Sequence, residues 1–234
     1  MNNWQITYMT ELKKASLLQD VLDIAQHAIR SLGLEYSSWI AYNPFPLSRK
    51  DMFALTTTDD EYHRRLKAGE FNDSPIFKAL ELTQEPIYWQ GDEHDELLSQ
   101  QPDFLSMHRS FGRRSGWAQT TIDSTGTRSF FLNCCSRMMS LADLSSVSIN
   151  MQWLTASVHY NMLRVKDHAG VKLSLREREI LCWTGDGKTV SDIADILDLS
   201  ESTVNFHFRN IMNKLGTPNK TSSVVKAIFL DLLF

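Results

Sequence analysis

The chain has 234 residues, 42% of them apolar and 22% charged, with a net charge of −4 at pH 7. This is ordinary globular material, long enough for one large core or a core plus a small module, and it excludes disordered and collagen-like chains. No stretch nears the roughly 18 apolar residues of a membrane span, the start MNNWQITYMTELKK carries no export signal, and Cys134, Cys135 and Cys182 lack C-x-x-C spacing, so the expectation is a soluble, cytoplasmic protein with no membrane contact, disulfide framework or structural zinc.

Residues 11–34 place Leu12, Ala15, Leu18, Val21, Leu22, Ala25, Ile29 and Leu32 at three- and four-residue spacing, which predicts one amphipathic helix stopped at Gly33. Residues 36–42, YSSWIAY, are strand formers that run into Asn43-Pro44. The acidic run 91–96, GDEHDE, reads as a solvated loop rather than a metal site. WAQTTID and SFFLNCC flank Ser124-Thr125-Gly126-Thr127 and predict a hairpin. Between 141 and 165, Leu144, Val147, Met151, Leu154, Val158, Met162 and Val165 return to helical spacing. Helices on both sides of a strand-rich middle predict an α/β/α sandwich around an antiparallel sheet for residues 1–165, with 166–172 as a linker.

Residues 173–234 predict an all-α module of four helices, making the whole chain α+β. Ser174 caps the first helix, and Gly185 and Gly187 end it; Thr189 caps the second, with Asp192 at its third position. Asp198-Leu199-Ser200 forms a tight turn, Ser200 caps a third helix through Leu215, and Asn219 or Thr221 starts a fourth through Leu233. Over residues 171–234 charge is balanced, eight basic against eight acidic residues, so contact with nucleic acid has to rest on a few placed cations. The third helix carries Val204, Ile211 and Leu215 on one stripe, and Ser202, Asn205, His207 and Arg209 on or beside the other. Asn and Arg match adenine and guanine edges, and Lys188 and Lys220 sit at helix starts whose N–H groups favour phosphate.

The run R-E-x-E-I-L-x-W-x-x-x-G-K-T-x-x-x-I-A-x-I-L-x-L-S-x-x-T-V-x-F-H-x-x-N-x-x-x-K-L, from Arg176 to Leu215, resembles the helix-turn-helix DNA-binding domain of LuxR-type quorum-sensing regulators. The resemblance implies base contacts from Asn205 and Arg209, phosphate contacts near Lys188, Thr203 and Lys220, and a domain held together by Glu177, Leu181 and Gly187. PFPL at 44–47, Pro86-x-x-Trp89 and Ser115-Gly116-Trp117 resemble the signal-binding half of the same family. That extends the implied function to a promoter-binding transcriptional regulator. It would act as a homodimer, with RNA polymerase among its partners, sensing an N-acyl homoserine lactone and needing no cofactor.

The resemblance places Tyr62, Leu66, Asp73 or Ser74, Trp89, Trp117 and Cys134 around the signal. Tyr62 stands where the family has Trp and Leu66 where it has Tyr, while Ser74 takes the place of an Asp that meets the signal's amide N–H, with Asp73 one residue early. Cys134 takes the place of a Ser or Thr. A carboxylate acceptor contributes roughly 1.5–3 kcal/mol against about 1 for a neutral one, so these departures imply an altered or relaxed pocket. The alternative is a ligand-independent regulator.

Other classes fit less well. The histidines are scattered, and no G-x-S-x-G or phosphate-cradling loop points to an enzyme. Residues 1–165 lack the alternating strand and helix pattern of a receiver domain. The expected dimer is motivated by the stripe from Val147 to Val165 and by Val224, Ile228, Leu232 and Leu233.

Overall fold

The computed structural model describes residues 3–43, 48, 51–58, 60–123, 127–167 and 171–233. PFPL at 44–47, the hairpin residues 124–126 and linker residues 168–170 lie outside the described residues. The chain divides into two compact units, the first holding residues 3–43, 51–58, 60–122 and 128–167, and the second holding residues 171–233.

In the first unit α1 (Asn3–Leu12) and α2 (Leu18–Ser31) precede β1 (Tyr36–Asn43), β2 (Asp51–Thr56), α3 (Glu61–Lys67) and α4 (Pro75–Leu82). After them come β3 (Ile87–Trp89), α5 (Pro102–Ser110), β4 (Ser115–Ile122), β5 (Arg128–Cys135) and α6 (Leu141–Asp167). The single helix expected over 11–34 is two. The chain turns after Leu12, and the Asp20 carboxylate takes the N–H groups of Ser16 and Leu17, capping α2 from within its first turn.

The strands form one antiparallel sheet in the order β2-β1-β5-β4-β3, with the predicted hairpin registered from Ser115 opposite Cys135 to Ile122 opposite Arg128. Alternation along the strands sends Trp39, Trp117, Phe131 and Cys135 to one face, where they pack with α2 and α6. It sends Ile40, Ala54, Trp89, Ala118, Phe130, Leu132 and Cys134 to the other, against α3, α4 and α5. The α/β/α sandwich is therefore the observed architecture. The stripe Met151, Leu154, Val158, Met162 and Val165 is buried in the first of these cores, so it is intramolecular and leaves a different face of α6 exposed.

The second unit holds α7 (Leu175–Gly185), α8 (Val190–Leu197), α9 (Glu201–Leu215) and α10 (Lys220–Phe229) around Ile180, Leu181, Ile193, Val204, Phe208, Ile211 and Leu215. Ser174, Thr189, Ser200 and Asn219 each accept a backbone N–H as N-caps. The α8–α9 turn closes through Asp198 in the left-handed region, φ 53°. The last helix ends at Phe229, short of the expected Leu233, because Asp231 also turns left-handed at φ 52°.

Candidate functional site

The face of the sheet under α3–α5 encloses an apolar cluster that gathers Tyr62, Leu66, Trp89 and Cys134. Tyr62 and Leu66 lie one turn apart on α3, both buried. Trp89 ends β3 opposite Gly116 of β4, where an added Cβ would stand 2.2 Å from the indole, so only glycine admits the ring there. The indole is fully buried, and its Nε1–H has no hydrogen-bond partner among the described residues. Cys134 faces the same interior from β5, its thiol pushed up to about 12 by burial and therefore kept protonated.

Two residues that sequence reasoning passed over complete this interior. His108 of α5 is fully buried, stacked on Phe104 at 5.2 Å, with Nε2 3.4 Å from the Tyr62 hydroxyl. Burial, and then the Arg113 charge, push its pKa down to about 3, so the ring is neutral. Arg113 is 2% exposed, with its guanidinium 3.8 Å from the centre of the Tyr62 ring and 4.7 Å from that of Tyr36. It donates to the Phe111 carbonyl, Thr58 Oγ1 and Asp60 Oδ2. Burial opposes ionisation of Asp60, but the His63 N–H and Arg113 hold its carboxyl below the usual range. His108 continues the buried face of α5 after Phe104 and Leu105 but is polar, so a hydrophobic pattern does not mark it; for Arg113 the nearby signal is Arg113-Arg114 just ahead of Ser115-Gly116-Trp117.

The remaining expected pocket residues are placed elsewhere or already engaged. Asp73 has a fully exposed side chain, 3.9 Å from Lys78, and points into solvent rather than into the cluster. Ser74 is buried, but its Oγ accepts the Phe77 N–H as the cap of α4. Trp117 lies on the opposite face of the sheet, because its neighbour Gly116 takes the pocket side; its Nε1–H donates to Ser148 of α6. The acidic run is ordered by Asp95, whose two carboxylate oxygens accept the N–H groups of Gln90, Gly91, Leu97 and Leu98. No helix among the described residues is long and apolar enough to cross a membrane.

In the second unit Glu177 is buried, accepting from the Ser174 N–H and from Lys214 Nζ, each at 2.7 Å. Burial opposes its ionisation, and these bonds more than offset that, holding the carboxyl below its usual range. This clamp ties the start of α7 to the end of α9. Asn205 and Arg209 are exposed on α9, on the side away from the module's core. Lys220 lies over the Phe208 ring at 4.4 Å and donates to Asn205 Oδ1 at 3.4 Å, so those two expected contacts stand together. Thr203 is half-buried, its hydroxyl 2.8 Å from Ser200 Oγ, and Lys188 is exposed ahead of α8.

An α/β/α domain joined to a helix-turn-helix module defines a DNA-binding regulator of transcription. The comparisons place it further. Residues 171–227 match the model of the luxR family of bacterial regulatory proteins, and 18–162 that of the autoinducer binding domain. The transcriptional activator AnoR of Acinetobacter nosocomialis is 27% identical, with each chain covered in full, and SolR of Ralstonia nicotianae is 31% identical over 88% of each. The crystal structure of Escherichia coli SdiA superposes with a TM-score of 0.81 at 26% identity, over 99% of this chain and 98% of that one. The chain belongs to the LuxR family of transcriptional regulators, with an autoinducer-binding domain ahead of its DNA-binding domain.

Proposed function

We propose that the chain is a regulator of quorum-sensing type that binds a promoter palindrome as a homodimer and takes an N-acyl homoserine lactone or a related amphiphile. The observation that carries the ligand reading is the Trp89 Nε1–H, a buried donor without a partner among the described residues, inside an aromatic enclosure. Such a group costs free energy until an acceptor arrives, and a ligand carbonyl supplies one. The neutral His108 lies beside the indole, ring centres 6.2 Å apart, and Arg113 stands over the Tyr62 ring of the same cluster, whereas Asp73 is outside. The polar end of the ligand is thus held mainly through its acceptors, and an amide N–H contributes little.

On this reading the operator is bound by α9 in the major groove, Arg209 and Asn205 meeting base edges and Lys188, Thr203 and Lys220 the phosphates. Support for the dimer comes from apolar residues exposed on α1 and α6, Ile6, Met9, Ile149 and Tyr160, beside a groove of about 520 Å³. The second reading, a ligand-independent regulator, is favoured by the close packing of Tyr62 on Phe71, with ring centres 4.8 Å apart.

The test is fluorescence anisotropy of the full-length protein on a duplex selected from a randomised library. It is run at two salt concentrations, with and without N-octanoyl homoserine lactone. Affinity that falls steeply with salt and changes with the lactone supports the proposal. Salt-dependent binding indifferent to the lactone and to octanoylglycerol leaves the second reading.

A further inference from the structure

Phe206 is 52% exposed, although it sits in the middle of a 15-residue helix with a well-formed core side. At 3.6 residues per turn, Val204, Phe208, Ile211 and Leu215 form the buried stripe, and Phe206 falls on the opposite side with Ser202 and Arg209. The core does not use it. Its ring meets His207 edge-on at 5.8 Å, and the phenyl stands as an apolar island between polar side chains.

We propose that Phe206 is a specificity-determining residue that reads the C5 methyl group of a thymine in the major groove. The inference rests on α9 being the DNA-reading helix. Base edges in that groove present donors and acceptors, and the thymine methyl is the apolar group among them. Arg209 offers a fork of donors and Asn205 an amide, neither of which distinguishes a methyl from a hydrogen. An exposed phenyl beside them does, because it gains only where apolar surface meets it. Burial of one methyl corresponds to about a fourfold change in affinity.

The experiment uses the full-length protein and the duplex it selects from a randomised library, with each thymine replaced in turn by deoxyuridine, which removes the methyl and nothing else. The expected result is a loss of about fourfold at one position of a half-site. Phe206→Ala should bind the thymine duplex as weakly as wild type binds the deoxyuridine one, and be blind to the replacement. Arg209→Ala should keep the thymine preference. Helix content by circular dichroism checks that Phe206→Ala folds. Equal wild-type affinity for every deoxyuridine duplex, or a preference that survives Phe206→Ala, overturns the proposal. Failure to enrich any duplex over random sequence instead overturns the reading of α9 itself, and the proposal with it.

Discussion

At the scale of single residues, the free indole N–H of Trp89 and the buried ring of His108 separate ligand binding from stability. Trp89→Phe removes a donor with no partner among the described residues, so no hydrogen bond is lost in the free protein, and the melting temperature should fall only by the void the smaller ring leaves beside Gly116. Affinity for N-octanoyl homoserine lactone should nonetheless fall about tenfold, the size of one hydrogen bond. A fall in melting temperature with unchanged affinity would mean that the ring only fills space. His108 acts through pH. The unfolded chain takes up a proton near pH 6.5 that the buried ring refuses until about 3, so its contribution is complete above 6.5 and is lost as pH falls toward 3. The loss is about 1.4 kcal/mol per pH unit in that window. His108→Phe keeps the stack on Phe104, and its stability should therefore change less than that of the wild type between pH 7 and 5. Equal slopes would contradict the assignment.

Among the elements, α9 concentrates the sequence information and the turns around it the phosphate contacts. Arg209→Ala should remove preference at one operator position, costing about 1–3 kcal/mol on specific DNA, whereas Lys188→Ala or Lys220→Ala should weaken all sequences alike and lower the salt slope by about one. Equal loss on specific and random duplexes in Arg209→Ala would remove α9 from the reading role. The helical module was legible in the sequence because its caps are local: Ser174, Thr189, Ser200 and Asn219 each bond within three residues. The sensing half was less so, since its pocket is assembled by long-range pairing. Trp117 and Asp73 carry the right chemistry, yet strand alternation turns the first to the far face, and the turn before α4 leaves the second in solvent. His108 and Arg113 are polar residues in an apolar cluster, which no hydrophobic pattern reveals.

For the whole molecule, the exposed apolar residues of α1 and α6 are the expected site of self-association in the sensing half. Ile149, 81% exposed on α6, is its most accessible member. Ile149→Glu should shift sedimentation at micromolar concentration from dimer toward monomer and weaken binding to a palindromic duplex far more than to a half-site. A variant that sediments like the wild type would move the interface elsewhere.

A ligand site in the enclosed cluster around Trp89 would be linked to folding, and thermal melting of the purified protein measures that linkage. The protein is melted alone and then with N-acyl homoserine lactones and acylglycerols of several chain lengths. Soluble, folded protein is expected without ligand. At a ligand concentration about 100 times Kd, binding adds about 2.7 kcal/mol and should raise the midpoint by roughly 5–10 °C. An unchanged midpoint with every amphiphile would contradict a ligand site around Trp89.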